Sequence, residues 1–333
     1  MYLKIVQFKT PKFWTKINLT SLALLPLSLI YFVVTFLISF FQKTYTVSKP
    51  VICVGNLIAG GSGKTPTAIA LGKILREITD KENFEFAFLS TGYMGDGAKF
   101  VALREGKHVA KNVGDEPMLL TQTAPTFVAK NRLFGAKQID NMKKIKAIIL
   151  DDGMQNNSLY KDLVIMVVDG KIAFGNNLLI PAGPMRETLS SGLKKADLVV
   201  VIGEVNSDLE KKLSGKKIIQ AHLKTTNLEK FFNKKLLAFC GLAYPQKFFS
   251  LIKNNNLQLI EEKSFPDHYS YLNADLEELC KTAKEKGLEL ITTKKDWVKF
   301  PPIFQNQIPY LDVELEFLDK ELLIDELQKV IKI

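Results

Sequence analysis

Six short, mostly apolar runs mark the first two thirds of the chain, at residues 51–54, 84–90, 126–129, 145–150, 163–168 and 198–202, and each stops at a glycine or a polar cluster. Continuous apolar runs of this length fit strands buried on both faces. Segments of helical periodicity lie between them, as at 68–71 and 118–121. The alternation predicts a parallel sheet covered by helices, with ligands bound beyond the carboxyl ends of its strands. The pattern restarts near Asn227, with strands expected at 236–240, 257–264 and 288–291 and helices at 245–254, 274–286 and 320–331. Asp319 is a plausible cap for the last helix. The expected organisation is an apolar appendage over 1–45, a main α/β domain over 46–226 and a smaller α/β lobe over 227–333.

The first strand leads into the most informative stretch, VICVGNLIAGGSGKTPT at 51–67. Strand, glycine-rich turn, Gly63-Lys64-Thr65 and helix follow in the order of a phosphate loop. Glycines let backbone N–H groups converge on an anion, and the helix N-terminus adds partial positive charge. Lys64 can reach the β- and γ-phosphates, and the Thr65 hydroxyl can hold Mg²⁺. Pro66 falls in the first turn, where proline is tolerated. The candidate nucleotide-binding residues are Ile58, Ala59, Gly60, Gly61, Ser62, Gly63, Lys64 and Thr65. Ile58 departs from the strict pattern, which begins with glycine there.

Residues 19–41 carry no charge. As one helix they would be about 35 Å long, enough for a bilayer core. Pro26 divides the run, so a kinked span and a helix lying in the interface both fit. Lys4, Lys9, Lys12 and Lys16 precede it, and Lys43 and Lys49 follow. That balance would send the downstream chain outside, whereas a phosphate loop needs cytoplasmic nucleotide. A helix entering and leaving on one side resolves the conflict.

The 333 residues carry a formal net charge of +10, and hydrophobic residues make up 47% of them. The chain is therefore globular, and its basicity suits an anionic membrane, nucleic acid or phosphorylated ligand; a lysine-rich solvated surface fits equally. Three scattered cysteines without a CxxC read as free thiols and no zinc site.

Other candidate groups sit at strand ends. Asp151-Asp152 ends an apolar run downstream of the loop, where nucleotide-using enzymes hold Mg²⁺ or its waters. Asp115-Glu116 offers a carboxylate that could take a hydroxyl proton; the pair also fits a plain helix start. His268, one of three histidines with His108 and His222, could assist such a base. Arg132 and Arg186-Glu187 suit phosphate contact or simple surface solvation.

Taken in order, Val54-Gly55-Asn56 with Gly60-Gly61-Ser62-Gly63-Lys64-Thr65-Pro66, Gly114-Asp115-Glu116-Pro117, Leu150-Asp151-Asp152-Gly153-Met154-Gln155, Leu179-Ile180-Pro181-Ala182-Gly183-Pro184-Met185-Arg186-Glu187, Phe265-Pro266-Asp267-His268 and Thr292-Thr293-Lys294-Lys295-Asp296 resemble the tetraacyldisaccharide 4′-kinase (lipid A 4′-kinase) family. The resemblance implies a P-loop nucleoside-triphosphate-hydrolase-like parallel sheet domain, a smaller α/β lobe and an N-terminal membrane helix. It implies transfer of the ATP γ-phosphoryl group, with Mg²⁺, to the 4′-hydroxyl of tetraacyldisaccharide 1-phosphate at the cytoplasmic face of the bacterial inner membrane. It implies no nucleic acid and no obligate protein partner. It suggests Asp115 as base with His268, Lys64, Thr65, Asp151 and Asp152 around phosphates and metal, Glu116 as a further metal contact, and Arg132, Asn156 and Glu187 toward substrate. The family usually has Ser-Arg-Gly-Tyr where this chain has Ser90-Thr91-Gly92-Tyr93, His where it has Asn156, and Asp-His-His where it has Asp267-His268-Tyr269. Asn156 can hydrogen-bond but cannot carry a proton in turnover.

Two other readings fit the sequence. Thr293-Lys294-Lys295-Asp296 imitates a guanine-reading pattern, as in a membrane-attached P-loop GTPase, although Asp151-Asp152-Gly153 lacks the Asp-x-x-Gly spacing of a switch segment. A membrane scaffold or nucleic-acid-binding protein with a vestigial site is the third.

Overall fold

The computed structural model describes residues 11–80, 84–93, 100–103 and 110–332. Lys4, Lys9, the turn 94–97 and His108 lie outside the described residues. The strands are β1 (Val51–Gly55), β2 (Glu85–Ser90), β3 (Val101–Ala102), β4 (Thr126–Val128), β5 (Ile145–Asp151), β6 (Leu163–Asp169), β7 (Leu198–Ile202), β8 (Lys217–Thr225), β9 (Lys235–Cys240), β10 (Gln258–Ser264), β11 (Glu289–Thr293), β12 (Tyr310–Leu311) and β13 (Val313–Phe317). They form a large sheet of order β13-β8-β7-β6-β1-β5-β2-β4-β3 and a smaller one of order β10-β9-β11-β12.

The protein is thus α/β with a large mixed sheet. Its central strands run parallel, with Val54 level with Asp151 and Ile165. Among the described strands, the edge strands β3 and β13 alone pair antiparallel. The smaller sheet is parallel throughout. Strands β1, β6 and β7 are buried along their whole length, which is why they read as unbroken apolar runs. Side chains alternate between two cores. Val51, Cys53, Leu150 and Met166 face one, and Ile52, Val54, Ile149 and Ile165 face the other. Because the central strands share a direction, the tips of β1, β2, β5 and β6 open on one edge.

The chain after Asp312 departs from the expected boundary at 227. Strand β13 leaves the smaller lobe and pairs with β8. The helix Lys320–Ile331 then buries Leu323, Leu327 and Ile331 in the same core as α3 (Lys64–Ile78). Residues 313–332 therefore belong with the large sheet. Burying the apolar stripe of that helix drives their return.

The uncharged run 19–41 is not one spanning helix. α1 (Leu19–Ala23) ends and α2 (Leu25–Phe41) begins at Leu24, with Pro26 in the first turn of α2. Proline lacks the N–H that would carry an earlier helix through this point. The 17 residues of α2 rise about 25 Å, short of a bilayer core of about 30 Å. Among the described residues, no helix is long and apolar enough to cross a membrane.

α2 instead turns a polar stripe to the protein. Ser28 donates to the Leu179 carbonyl at 2.9 Å and accepts from the Ala182 N–H at 3.1 Å. Tyr31 donates to the Arg186 carbonyl at 3.0 Å, and Ser39 meets Asn157. The other faces are apolar and open, with Phe40 and Phe41 at 72% and 76% exposure. This inverts the usual amphipathic helix of a water-soluble fold.

Candidate active site

The loop between β1 and α3 is held in shape by its own side chains. Asn56 Nδ2 donates to the Ile58 carbonyl at 2.8 Å and to Ser62 Oγ at 2.6 Å. The turn into α3 passes through Gly63 at φ 90°, where an added Cβ would come within 2.3 Å of Ile202 Cδ1. Only glycine satisfies both conditions. Lys64 follows, largely buried, with Nζ 3.8 Å from Asp152 Oδ2. Thr65 Oγ1 donates to Asp151 Oδ2 at 3.3 Å.

Segment 179–187 braces this loop from one side. The Ala59 N–H donates to the Pro184 carbonyl at 2.8 Å, and the Arg186 N–H donates to the Leu57 carbonyl at 2.8 Å. Arg186 Nη1 then holds both oxygens of Asp152, at 2.9 and 3.0 Å, and reaches Gln155 Oε1 at 3.2 Å. Gln155 in turn donates to the Asn56 carbonyl at 2.7 Å and to Glu187 Oε1 at 3.1 Å. The smaller lobe closes the other side. Lys247 donates to the Gly61 carbonyl at 2.9 Å and pairs with Asp169 at 2.6 Å.

The two adjacent aspartates are pushed in opposite directions by their surroundings. Asp152 has φ 57°, an uncommon conformation outside glycine. Burial opposes its charge, but Lys64, Arg186 and Arg132 hold its carboxyl below the ordinary range. Asp151 is fully buried, and burial together with Glu116 and Asp152 pushes its carboxyl up to about 8. Its Oδ1 has no hydrogen-bond partner among the described residues. An open, buried carboxylate oxygen beside a hydroxyl and two further carboxylates is a donor set suited to a hard divalent cation. Among the described residues no three acidic, histidine or cysteine side chains are already gathered as a metal-holding group.

Asp115 starts the helix Asp115–Leu120 after Gly114 and accepts from the Glu116 N–H at 3.0 Å. Its oxygens lie 3.1 and 3.0 Å from His268 Nδ1, which comes from the loop after β10. His268 also has positive φ, at 55°, and the Tyr93 ring packs edge-on against it at 5.4 Å. Lys299 and Lys295 stand 3.6 and 4.0 Å from Asp115 Oδ2. Burial would raise this carboxyl, but Lys295, the His268 hydrogen bond and Lys299 hold it well below the usual range. These contacts favour the ionised form of Asp115.

The other sequence candidates take supporting positions. Arg132 donates to the Asp152 carbonyl. Glu187 is held by Lys195 at 2.7 Å and Ser191 at 2.9 Å as well as by Gln155. Asn156 Oδ1 accepts from Ser158 at 2.8 Å. His222 lies apart, on the β8–β13 edge, 3.3 Å from Glu316. Sequence reasoning gave no role to Gln155, Lys295 or Lys299. Gln155 and Lys295 lie in motifs quoted for the family resemblance, but their partners Asn56, Glu187, Asp115 and His268 come from distant chain, as does the Asp115 that Lys299 faces.

A tetraacyldisaccharide-1-P 4′-kinase (LpxK) family model matches residues 20–332. The tetraacyldisaccharide 4′-kinase of Rickettsia canadensis is 38% identical over 329 residues, covering 98% of each chain. The enzyme of that name from Rhodospirillum rubrum is 36% identical over 328 residues, covering 96% of this chain and 98% of its own. The crystal structure of LpxK from Aquifex aeolicus, described as an "apo" form in complex with ATP, superposes with a TM-score of 0.75 at 25% identity, over 94% of this chain and all of that one.

Proposed function

The chain belongs to the tetraacyldisaccharide-1-P 4′-kinase family, and on that premise we propose that it transfers the γ-phosphoryl group of ATP to the 4′-hydroxyl of a tetraacyldisaccharide 1-phosphate, in lipid A biosynthesis. The observation that carries this reading is the buried Asp115 carboxyl, paired with His268 at 3.0 Å at the same strand-tip edge as the glycine-rich loop.

That loop is read as a phosphate loop. Its amides and the N-terminus of α3 receive the phosphates, and Lys64 adds positive charge where negative charge develops on transfer. Asp115 accepts the hydrogen bond of the attacking hydroxyl and takes its proton as the oxygen–phosphorus bond forms and the bond to the ADP oxygen breaks. His268 orients that carboxylate. Mg²⁺, when bound, neutralises phosphate oxygens; Thr65 and the open oxygen of Asp151 are the residues that would hold it, with Glu116 and Asp152 alongside. Arg186 keeps Asp152 fixed beside Lys64. Arg132, Asn156 and Glu187 support the substrate side through Asp152, Ser158 and Gln155.

The acceptor is an anionic lipid. The exposed apolar faces of α2, on a chain of net charge +10, suit a helix lying in the interface at the cytoplasmic face of the inner membrane. The GTPase alternative meets a specific obstacle. Asp296, which would read guanine, is fully buried and accepts from Gly241 at 2.8 Å, Thr293 at 2.9 Å and Lys299 at 2.7 Å. Incubation with γ-labelled ATP and purified tetraacyldisaccharide 1-phosphate in mixed micelles tests the reading. Acceptor-dependent labelled lipid is the expected product; no transfer, or a strong preference for GTP, overturns it.

A further inference from the structure

We propose that Lys247 is a positioning residue that straps the smaller lobe to the glycine-rich loop and so sets where His268 meets Asp115. This rests on the reading of Asp115 as the base with His268 beside it. The smaller sheet is parallel, so β9, β10 and β11 end on one edge. Each of those three tips sends a side chain to the larger sheet. Lys247 comes from the helix Pro245–Asn254 after β9, His268 from the loop after β10, and Lys295 and Lys299 from the segment after β11. His268, Lys295 and Lys299 gather at Asp115. Lys247 goes instead to the loop, donating to the Gly61 carbonyl at 2.9 Å.

The receiving side holds Lys247 in place. Asp169 is buried at the end of β6, and its Oδ1 accepts from the Lys171 and Ile172 N–H groups at 3.1 and 2.8 Å. Its Oδ2 takes Lys247 at 2.6 Å. An ammonium has three donors, so this one group holds a loop carbonyl and a fixed carboxylate together. Charge-assisted bonds of this kind are about twice as strong as neutral ones. The backbone packs closely at the same point. Gly60 has φ 115°, and an added Cβ there would stand 3.2 Å from Tyr244 Cε2 and 3.6 Å from Ala243 Cβ. Lys247 Nζ also lies over the Tyr244 ring, 5.4 Å from its centroid.

A packed path joins this strap to His268. β9 and β10 stay paired to their last residues, with Cys240 level with Ser264, and the Phe265 N–H donates to the Cys240 carbonyl at 2.9 Å. Beyond the strands the two loops touch. An added Cβ on Gly241 would stand 3.0 Å from the Pro266 carbonyl oxygen and 3.2 Å from Tyr269 Cβ. The His268 N–H donates to Asp267 Oδ1 at 3.0 Å. Burial, with Asp169 on one side of the lobe contact and Asp267 on the other, raises the Tyr244 hydroxyl. Lys295 and Lys299 stand off Asp115 at 4.0 and 3.6 Å, whereas Lys247 is in hydrogen-bond contact with both of its partners. Without the strap the Asp115–His268 contact is free to lengthen, although no group that touches the reacting hydroxyl has been removed.

The test is a double-mutant cycle on kcat with Lys247→Met and His268→Ala, run beside hydrogen–deuterium exchange of the full chain. Lys247→Met should lower kcat by up to about 100-fold, the scale of an ångström of misplacement, and Lys247→Arg should restore most of it. In the Lys247→Met background the loss caused by His268→Ala should shrink by more than about threefold, beyond the scatter of independent sites. Exchange in peptides covering 265–269 should rise in Lys247→Met. Lys253→Met, which breaks an ion pair with Glu262 on the same helix, should change neither readout. A His268→Ala loss that is the same in both backgrounds overturns the proposal, as does unchanged exchange at 265–269. If Lys247→Met does not fold, Asp169→Asn, which keeps the acceptor for the two amides and removes the charge, is read in the same way. Failure of the base reading looks different: Asp115→Asn and His268→Ala would keep wild-type turnover while exchange at 265–269 still rose in Lys247→Met.

Discussion

His268 Nδ1 and Asp115 Oδ2 stand 3.0 Å apart across 153 residues of chain, joining the loop after β10 in the smaller sheet to a helix start in the larger one. Neither residue is in place unless the two lobes are together. Asp115→Asn keeps the shape of this contact and removes the proton acceptor. It should lower kcat by about 10²–10⁴, the usual contribution of a positioned base, with ATP binding unchanged by equilibrium titration. Weakened ATP binding with turnover spared would move the base elsewhere. His268→Ala should give a smaller fall, since Asp115 keeps Lys295 and Lys299.

Lys64 is buried against Asp152 at the start of α3. Lys64→Ala should reduce kcat by about 10²–10³, the scale of one lost charge-stabilising group. Acceptor binding, read in a lipid-binding assay, should be unaffected. Equal losses in kcat and in acceptor affinity would argue against a phosphate-directed role.

Asp151 makes stability depend on pH in an unusual sense. Its carboxyl titrates near 3.9 in an unfolded chain and is pushed up to about 8 here. Between those values the folded protein holds a proton that the unfolded chain releases. Stability from this group should therefore fall as pH rises from about 4 to about 8 and level off above. Asp115 and Asp152, shifted the other way, act only below that window. Metal-free protein should melt progressively lower from pH 5 to pH 8. Mg²⁺ should raise the melting temperature more at pH 8 than at pH 5, where it competes with the proton. Asp151→Asn should flatten both trends, and a slope that survives the substitution belongs to another group.

α2 predicts lipid binding by its outer faces. Phe36 and Phe40 are both exposed and stack on one another at 6.2 Å. Each large apolar side chain withdrawn from water is worth about 1.5–3 kcal/mol, or roughly tenfold or more in affinity. Phe36→Glu with Phe40→Glu should abolish co-flotation with anionic phospholipid vesicles. Wild-type protein that fails to float would remove the interfacial role of the helix.

The sequence made the centre of the large sheet legible because its strands are buried on both faces. The runs at 51–54, 145–150 and 163–168 needed no tertiary context to be read. The edges were illegible for the opposite reason. Strand β8 is half exposed along its length and β13 is never continuously apolar, so neither stands out, and the return of residues 313–332 to the large sheet was missed with them. The uncharged run 19–41 hid its break at Leu24, since hydropathy does not register where a helix starts. It also hid the polar stripe, because Ser28, Tyr31 and Ser39 pass as minor interruptions until the residues they meet are known. At the site, the glycine-rich loop and the carboxylates were readable from local order. The links from Arg186 to Asp152 and from Lys295 to His268 were not, since each joins segments far apart in the chain.

The polar stripe of α2 bears on how such a protein can be handled. Ser28 and Tyr31 grip segment 179–187 at Leu179, Ala182 and Arg186, and that same segment supports the Ala59 amide and steadies Asp152. Deleting the greasy N-terminal piece to obtain a better-behaved sample would remove the hydrogen bonds that hold segment 179–187, and with them the brace of the glycine-rich loop. Detergent or nanodisc is therefore the safer route to an intact preparation.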